Sequence, residues 1–183
     1  QYIVFDCYQT LIYKKNLAKI TQDFSCKILK KKVSLDFIKN SYKIIYNRHK
    51  FKHTYFTTPE KHKKFYIEYN KELFSILGIS ITSQEALQLN KFLNKLKWVC
   101  YSETKTSLKN LKKRKIPLGL IANWTKGLNE VLKNIYLDHY FDFIHSSHDL
   151  RINKPNPEIF IKALNSIIKK FDNIYYVGDD YEL

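Results

Sequence analysis

Four short runs of largely apolar residues occur, one at the start of the chain and three after residue 116, and none of them alternates strictly with polar residues. They are YIVF at 2–5, PLGLIA at 117–122, FDFIHS at 141–146 and NIYYVG at 173–178. Consecutive apolar residues are typical of strands that are covered on both faces, as in a parallel sheet. The runs therefore predict four buried strands.

Amphipathic segments separate the last three of these strands and also precede the second one. Residues 102–115 and 124–137 carry apolar side chains at helical spacing, and 156–171 begins with Asn156 as an N-cap and Pro157 in the first turn. Helices that alternate with buried strands are typical of a doubly wound sheet. The predicted fold class is therefore α/β, with a doubly wound, parallel, Rossmann-like sheet.

The stretch from about 14 to 98 interrupts this alternation, because it contains no convincing strand. Its pattern predicts four helices, near 16–31, 34–50, 59–77 and 82–96. We interpret residues 14–98 as an inserted α-helical cap domain, and residues 1–13 with 99–183 as the α/β core domain. Ligands bind beyond the carboxyl ends of the strands in such sheets, so an insert that leaves after the first strand is expected to cover the site as a lid.

The composition fits a folded domain. The 183 residues are 44% hydrophobic and 15% aromatic, which is enough for a sizeable core and too apolar for a disordered chain. The chain begins within the first strand-like run and ends shortly after the last one. We therefore expect the C-terminal part of the core domain to be missing from this sequence.

The net charge of +15 raises the question of a nucleic-acid partner. Nearly all of the basic residues are lysine, and the arginines are Arg48, Arg114 and Arg151. Bidentate contacts to phosphate and guanine favour arginine, so the composition argues against nucleic-acid binding. We expect the charge to attract a small anionic substrate instead.

The sequence lacks the features of secreted and membrane proteins. No apolar run reaches the length of a membrane span, and no signal peptide is visible. The three cysteines, Cys7, Cys26 and Cys100, are odd in number and widely spaced, so they indicate neither a disulfide framework nor a zinc site. These features favour a reduced, cytoplasmic protein.

Chemically useful residues follow each of the predicted strands. In strand order they are Asp6, Asn123, Lys154 and Asp179. Parallel strands bring their carboxyl ends to one edge of the sheet, so we expect these side chains to converge. Two carboxylates and an ammonium suit an oxygen-liganded divalent cation together with an anionic substrate. With Mg²⁺ reducing the repulsion, Asp6 could attack such a substrate as an in-line nucleophile.

The same residues lie in four motifs that follow one another along the chain. These are VFDCYQTL, LGLIAN, INKPNPEIF and YVGDD. The series resembles the haloacid dehalogenase-like hydrolase superfamily, whose first motif is a hydrophobic strand followed by D-x-D-x-T. A helical insert after the first strand is similar to the cap of its subfamily I. The resemblance covers essentially the whole chain.

The resemblance implies a catalytic role for several of these residues. Asp6 would be the nucleophile that forms a covalent aspartyl intermediate. Thr10 and Asn123 would form hydrogen bonds with the transferring group, and Lys154 would stabilise both Asp6 and the bound anion.

The resemblance also implies a Mg²⁺ cofactor. Asp6 and Asp179 would bind the metal through their carboxylates, and Tyr8 would bind it through its backbone carbonyl. A further acid of the fourth motif would fall just beyond Leu183.

The residue two positions after the nucleophile departs from the phosphatase pattern. Phosphatases of the superfamily have a second Asp there, which acts as general acid and then as general base. This chain has Tyr8, and a phenol with its usual pKa of about 10 is a poor substitute. The 2-haloacid dehalogenases have an aromatic residue at this position, because a departing halide needs no proton. They lack the metal-binding acids of the fourth motif, however, whereas this chain keeps Asp179.

Two further departures occur, at Gln9, where Gly is usual, and at Ala122, where a hydroxyl usually binds the phosphate. The favoured interpretation is a Mg²⁺-dependent phosphatase of small phosphorylated metabolites that uses an aspartyl-phosphate intermediate. Without the usual acid it should prefer acyl or aryl phosphates, whose leaving groups depart easily. The alternatives are a 2-haloacid dehalogenase and a catalytically weak member of the superfamily that acts as a binding module.

Several polar residues of the predicted cap are expected to be solvated. Arg48 and His49 lie within the predicted helix 34–50, and His53 and His62 follow. No Glu between the first two histidines completes a metalloprotease pattern. Arg48 could alternatively hold a carboxylate of the substrate.

Overall fold

The structure is a computed structural model that describes residues 1–49, 58–165, 167 and 171–180. The chain divides into two compact units, residues 1–13 with 98–183 and residues 14–97. The first unit contains the parallel sheet, and the second is built from helices. The role of the second unit as a cap remains a prediction.

The strands confirm the predicted fold class. They are β1 (Tyr2–Phe5), β2 (Ile12–Lys14), β3 (Trp98–Cys100), β4 (Leu118–Ala122), β5 (Phe143–Ser146) and β6 (Ile174–Val177). Four of them form a parallel sheet in the order β5–β4–β1–β6, in which Val4 of β1 lies opposite Gly119 of β4 and Tyr176 of β6. β2 and β3 form a separate two-stranded sheet.

All but the shortest helices occupy the segments that the amphipathic pattern predicts, whereas the short helices at Ser147–Leu150 and Asp138–Tyr140 were not predicted. The helices are α1 (Leu17–Lys27), α2 (Leu35–His49), α3 (Pro59–Ile76), α4 (Ser83–Asn94), α5 (Thr104–Lys113), α6 (Leu128–Asn134), α7 (Ser147–Leu150) and α8 (Pro157–Leu164), with a short 3₁₀ helix at Asp138–Tyr140. None of the helices within the described ranges is long and apolar enough to cross a membrane.

Both faces of the parallel sheet are covered. Successive residues of a strand point to opposite faces, and Leu120 and Ile121 of β4 accordingly belong to two different buried clusters. The first cluster includes Leu108 of α5, and the second includes Ile159 of α8. Every residue of β4 is buried, which explains its uninterrupted apolar sequence.

The helical unit has its own core, and one of its helices has a well-defined N-terminal cap. Phe24, Ile38, Phe74 and Leu89 are among its buried residues. Thr82 and the side chain of Glu85 form a capping box that starts α4.

Three boundaries differ from the sequence prediction. The segment at 124–137 becomes helical only at Leu128, because the preceding Gly127 adopts a left-handed conformation with φ of 96°. β2 and β3 reach the two ends of the stretch that lacked a strand pattern, and with three residues each they are too short to show a period. α8 ends at Leu164, and residues 166 and 168–170 of the predicted helix lie outside the described residues.

The expectation of a solvated surface is wrong for His49, which is buried in the helical unit. Its Nε2 lies 2.6 Å from Glu72 Oε2, and Arg48 donates a hydrogen bond of 3.0 Å to the other carboxylate oxygen. A shared carboxylate therefore explains why both basic residues occur at the end of α2. His62 is partly buried beside Tyr66, while His53 lies outside the described residues.

Candidate active site

The end of β1 places a carboxylate in a buried position. The backbone N–H of Asp6 donates to the carbonyl of Val177 at 2.8 Å, which continues the pairing of β1 with β6 by one residue. Asp6 is 7% exposed and Lys154 is 1% exposed, and Lys154 Nζ lies 2.7 Å from Asp6 Oδ1. The predicted convergence of these two residues is therefore present as a buried ion pair.

Two further contacts hold Lys154 in place. The carboxamide of Asn123, at the end of β4, accepts a hydrogen bond from the Lys154 backbone N–H at 2.8 Å and donates one to its carbonyl at 3.0 Å. At the other end of the side chain, Nζ donates to the hydroxyl of Tyr176 at 2.6 Å. A buried ammonium is tolerated when it is paired and hydrogen-bonded, and Asp6 and Tyr176 accept two of its three donors.

Asp179 lies at the end of β6, in the same edge region as Asp6. Thr10 donates a hydrogen bond of 3.3 Å to its Oδ1, so two of the predicted site residues are in contact. Burial raises the pKa of Asp179 above its ordinary value, and the neighbouring negative charge of Asp6 raises it further. Two carboxylates thus face a common region, where the charge of Asp6 disfavours the ionised form of Asp179.

The donor atoms at this edge fit a hard divalent cation. Asp6 and Asp179 offer carboxylate oxygens, and Tyr8 offers a backbone carbonyl. The repulsion that raises the pKa of Asp179 is the kind that a bound cation removes. No group of three or more His, Cys, Asp or Glu side chains suited to a metal occurs among the described residues, which exclude 181–183. Mg²⁺ keeps several waters and needs only one or two protein carboxylates, so this set suits it.

The loop after Asp6 turns tightly back on itself. The backbone N–H groups of Leu11 and Ile12 both donate to the carbonyl of Cys7, at 2.9 and 3.1 Å. Gln9 sits at the turn with φ of 64°, in the left-handed region that Gly adopts readily. This positive φ explains why Gly is usual at this position in the family that the motifs resemble. Gln9 adopts the same conformation at a cost in backbone strain.

Tyr8 is embedded in an aromatic cluster. Its ring contacts Trp98 edge to face with centroids 5.8 Å apart, and Trp98 in turn contacts Trp124 at 4.7 Å. All three side chains are partly buried. The packing gives Tyr8 an apolar neighbour on the side of Trp98.

Ala122 and Cys7 are both buried next to polar site residues. Ala122 is paired with Ser146 of β5 and carries no hydroxyl to bind an anion. The Cys7 thiol is fully buried. Burial and the adjacent Asp6 carboxylate raise the pKa of this thiol well above its ordinary value, so it remains protonated.

Sequence reasoning missed Tyr176. The sequence does carry a usable signal, because Tyr175 and Tyr176 are consecutive on β6 and must point to opposite faces of the sheet. One of the two hydroxyls therefore had to point to the face that carries the site. Choosing between them required the register of β6 against β1.

The comparison with known families now identifies the class of protein. A family model described as haloacid dehalogenase-like hydrolase matches residues 34–182. The chain therefore belongs to the haloacid dehalogenase-like hydrolases, as its motifs predict, and it is a hydrolase-type domain. The matched range includes Asn123, Lys154 and Asp179, whereas Asp6 precedes it.

Individual relatives are similar over parts of the chain. Haloacid dehalogenase-like hydrolase domain-containing protein 3 from Danio rerio is 31% identical over 84 residues, which cover 46% of this chain and 35% of that protein. The chain thus spans about a third of the length of this curated relative.

Solved structures share the fold over almost the whole chain. YfnB from Bacillus subtilis, whose crystal structure is bound to magnesium, has a TM-score of 0.69 at 17% identity and is covered to 81%, with 100% of this chain matched. An L-2-haloacid dehalogenase has a TM-score of 0.64 at 17% identity, with 98% of this chain and 78% of that chain covered. At these identities the similarity shows the fold alone.

Proposed function

We propose that this domain is a Mg²⁺-dependent phosphohydrolase that acts on small phosphorylated metabolites through an aspartyl-phosphate intermediate. The observation that carries the proposal is the buried contact of 2.7 Å between Lys154 Nζ and Asp6 Oδ1, at the edge of the sheet where Asp179 also lies. An ammonium and two carboxylates together suit a phosphate dianion and a metal ion.

Asp6 is the nucleophile in this proposal. Lys154 fixes Oδ1 and so orients the plane of the carboxylate, which leaves the second oxygen to attack phosphorus. A bond forms between that oxygen and phosphorus as the bond to the leaving oxygen breaks, and water later hydrolyses the acyl phosphate to release inorganic phosphate. Bound Mg²⁺ would neutralise negative charge on the nucleophile and on the phosphate.

Two neighbours support this chemistry without reacting. The hydrogen bond from Thr10 holds the carboxylate of Asp179, the proposed metal ligand, and differs from the predicted contact of Thr10 with the transferring group. The carboxamide of Asn123 holds the backbone of Lys154, so its contact in this structure is with the lysine and differs from the predicted contact with the transferring group.

The leaving group is expected to depart without a proton from the enzyme. Tyr8 occupies the position of the usual acid, and its ring packs against Trp98. A phenol transfers a proton poorly to a departing alkoxide at neutral pH. We therefore propose a preference for acyl and aryl phosphates over alkyl phosphates.

A substrate panel tests the proposal. Hydrolysis of acetyl phosphate, 4-nitrophenyl phosphate and glycerol phosphate is measured with Mg²⁺ and with excess chelator. We expect turnover of the first two, its loss on chelation, and a loss of at least about a thousandfold in Asp6→Asn. Asp36→Asn, an exposed acid of α2, is the matched control. Ordinary turnover of glycerol phosphate together with poor turnover of the two activated esters would contradict the leaving-group preference.

A 2-haloacid dehalogenase is the second candidate, and Tyr8 is the residue that favours it. That reaction transfers an alkyl group to Asp6 and releases a halide, which needs no proton. Chloride release from 2-chloropropionate that survives chelation would establish it. If neither reaction occurs and no covalent adduct forms on Asp6, the domain is a binding module, an alternative that Gln9 and Ala122 support.

A further inference from the structure

We infer that Tyr176 is a positioning residue that acts through Lys154 and directs its ammonium toward the reacting group. Its hydroxyl lies 2.6 Å from Lys154 Nζ, and Asp6 Oδ1 lies 2.7 Å from the same nitrogen. The inference rests on the proposed function, in which Lys154 stabilises the bound anion.

The geometry of an ammonium group gives the contact its consequence. Lysine has three N–H donors in a tetrahedral arrangement and a long stem with free rotation about each bond. Asp6 accepts one donor and Tyr176 accepts a second. With two directions fixed, the third is fixed as well, and it is the donor that remains for an anion. Without the phenol oxygen, the group can turn about its bond to Cε while it keeps the contact with Asp6.

The Tyr176 ring is itself held by its neighbours. Phe160 of α8 contacts it edge to face with centroids 5.3 Å apart, and Lys154 Nζ lies 5.3 Å from the ring centroid. Gly178 leaves the room for the ring, since a Cβ atom there would lie 3.2 Å from Tyr176 Cε1 and 3.6 Å from Asp6 Cβ. The hydroxyl is thus positioned before any ligand binds, as a precise site requires.

Lys154 is consequently fixed at both ends. Asn123 binds its backbone on both sides of the residue, and Tyr176 binds the tip of its side chain. The intervening carbons are buried. Removal of the Tyr176 oxygen therefore changes the direction of the ammonium and leaves the rest of the residue in place.

The kinetic test replaces Tyr176 by Phe, which deletes one oxygen atom. Because this substitution removes a hydrogen bond to a charged group, we expect kcat for acetyl phosphate to fall about tenfold, while KM changes less than about threefold. Tyr175→Phe is the matched control, because Tyr175 is the neighbouring residue on the same strand and is 49% exposed. In the Lys154→Met variant, the additional substitution Tyr176→Phe should not lower kcat further, because both substitutions act through one ammonium.

A second measurement does not depend on activity. In protein with isotopically labelled lysine, the Lys154 ammonium is assigned by its absence in Lys154→Met. We expect slow proton exchange at this group in the wild type and in Tyr175→Phe, and exchange at least about fivefold faster in Tyr176→Phe. Unchanged exchange in Tyr176→Phe would overturn the inference. So would a lower melting temperature with an unchanged kcat per folded molecule, since that result would give Tyr176 a purely structural role.

The two measurements separate the inference from the proposed function. If the wild type hydrolyses none of the phosphates, the proposed function fails, and the exchange of the Lys154 ammonium still decides whether Tyr176 orients it. If Tyr176→Phe does not fold, Tyr176→His is measured in the same way. The imidazole nitrogen of Tyr176→His can accept a hydrogen bond from Nζ, so we expect proton exchange slower than that of Lys154 in the denatured chain and faster than that in the wild type. Exchange as fast as in the denatured chain would overturn the inference.

Discussion

Each of the two units of the chain contains a carboxylate that is paired with a basic side chain, and the two ion pairs differ in their exposure to water. In the first unit the Lys154 and Asp6 side chains are 1% and 10% exposed. In the second unit Arg48 and Glu72 are 55% and 34% exposed. Burial makes the first pair costly to assemble and very costly to break, whereas solvent weakens the second pair. The comparison separates a buried pair at the end of a sheet from an exposed pair that joins two helices.

The largest expected effect comes from breaking the buried pair. Lys154→Met leaves the Asp6 carboxylate buried without its partner, and we expect the free energy of unfolding to fall by about 3–5 kcal/mol. Urea denaturation measures it. Lys162→Met, on the exposed face of α8, is the control and should cost less than about 1 kcal/mol.

The double variant Asp6→Asn with Lys154→Met sharpens this result. It removes both charges, so we expect it to recover part of the stability that Lys154→Met loses. Equal losses for Lys154→Met and Lys162→Met would show that burial does not distinguish the two kinds of pair.

A smaller effect is expected at the exposed pair, and it should depend on pH. The hydrogen bond from His49, assisted by that from Arg48, outweighs burial and holds the pKa of Glu72 below its ordinary value of 4.5. The stabilisation is therefore complete above that value and is lost as the pH falls through the lowered pKa of the folded state. Glu72→Gln should cost about 0.5–1 kcal/mol at neutral pH, and this cost should shrink as the pH falls below 4.5.

Thermal or urea unfolding across this pH range provides the measurement. Glu68→Gln, one turn earlier on α3, is the matched control, because Glu68 is exposed on the same helix. A cost for Glu72→Gln that is constant with pH would mean that the charge of Glu72 does not contribute to stability.

The smallest expected effect concerns backbone strain beside the site. Gln9 has φ of 64°, whereas the helical unit places Gly78 at a comparable φ of 71°. Gln9→Gly should raise the free energy of unfolding by about 0.5 kcal/mol, because relief of strain slightly exceeds the extra entropy of the unfolded chain.

Gly78→Ala is the reverse experiment. An added Cβ would meet no atom within 4 Å, so its expected cost of about 1 kcal/mol is due to the backbone alone. Destabilisation by Gln9→Gly would indicate that the Gln9 side chain makes a contribution larger than the strain.

Much of the site was predictable because parallel strands place their ends together. Asp6, Lys154 and Asp179 follow strands that the largely apolar runs predict, so their positions along the chain were enough to predict that they converge. The contact of Lys154 with Asp6 agrees with that prediction, whereas Thr10, which was expected to bind the transferring group, contacts Asp179. The catalytic and metal-binding roles of these residues remain predictions.

The details that sequence reasoning missed depend on contacts between distant segments. α6 begins only after the left-handed Gly127, and the segment before it is held by Ser147 of α7, which binds both backbone groups of Trp124. The hydroxyl of Tyr176 binds Lys154, although Tyr176 otherwise looks like an ordinary residue of a strand. Neither contact leaves a periodic pattern in the sequence.

The pair of hydrogen bonds from Asn123 has a mechanical consequence. Lys154 lies in a loop, and loop residues ordinarily move more than the strands that they follow. A carboxamide that binds both the N–H and the carbonyl of this residue imitates the pairing that a neighbouring strand would provide. Through Asn123 the sheet is thereby extended by one residue without another strand. The ammonium of Lys154 is therefore anchored to the rigid sheet rather than to the loop.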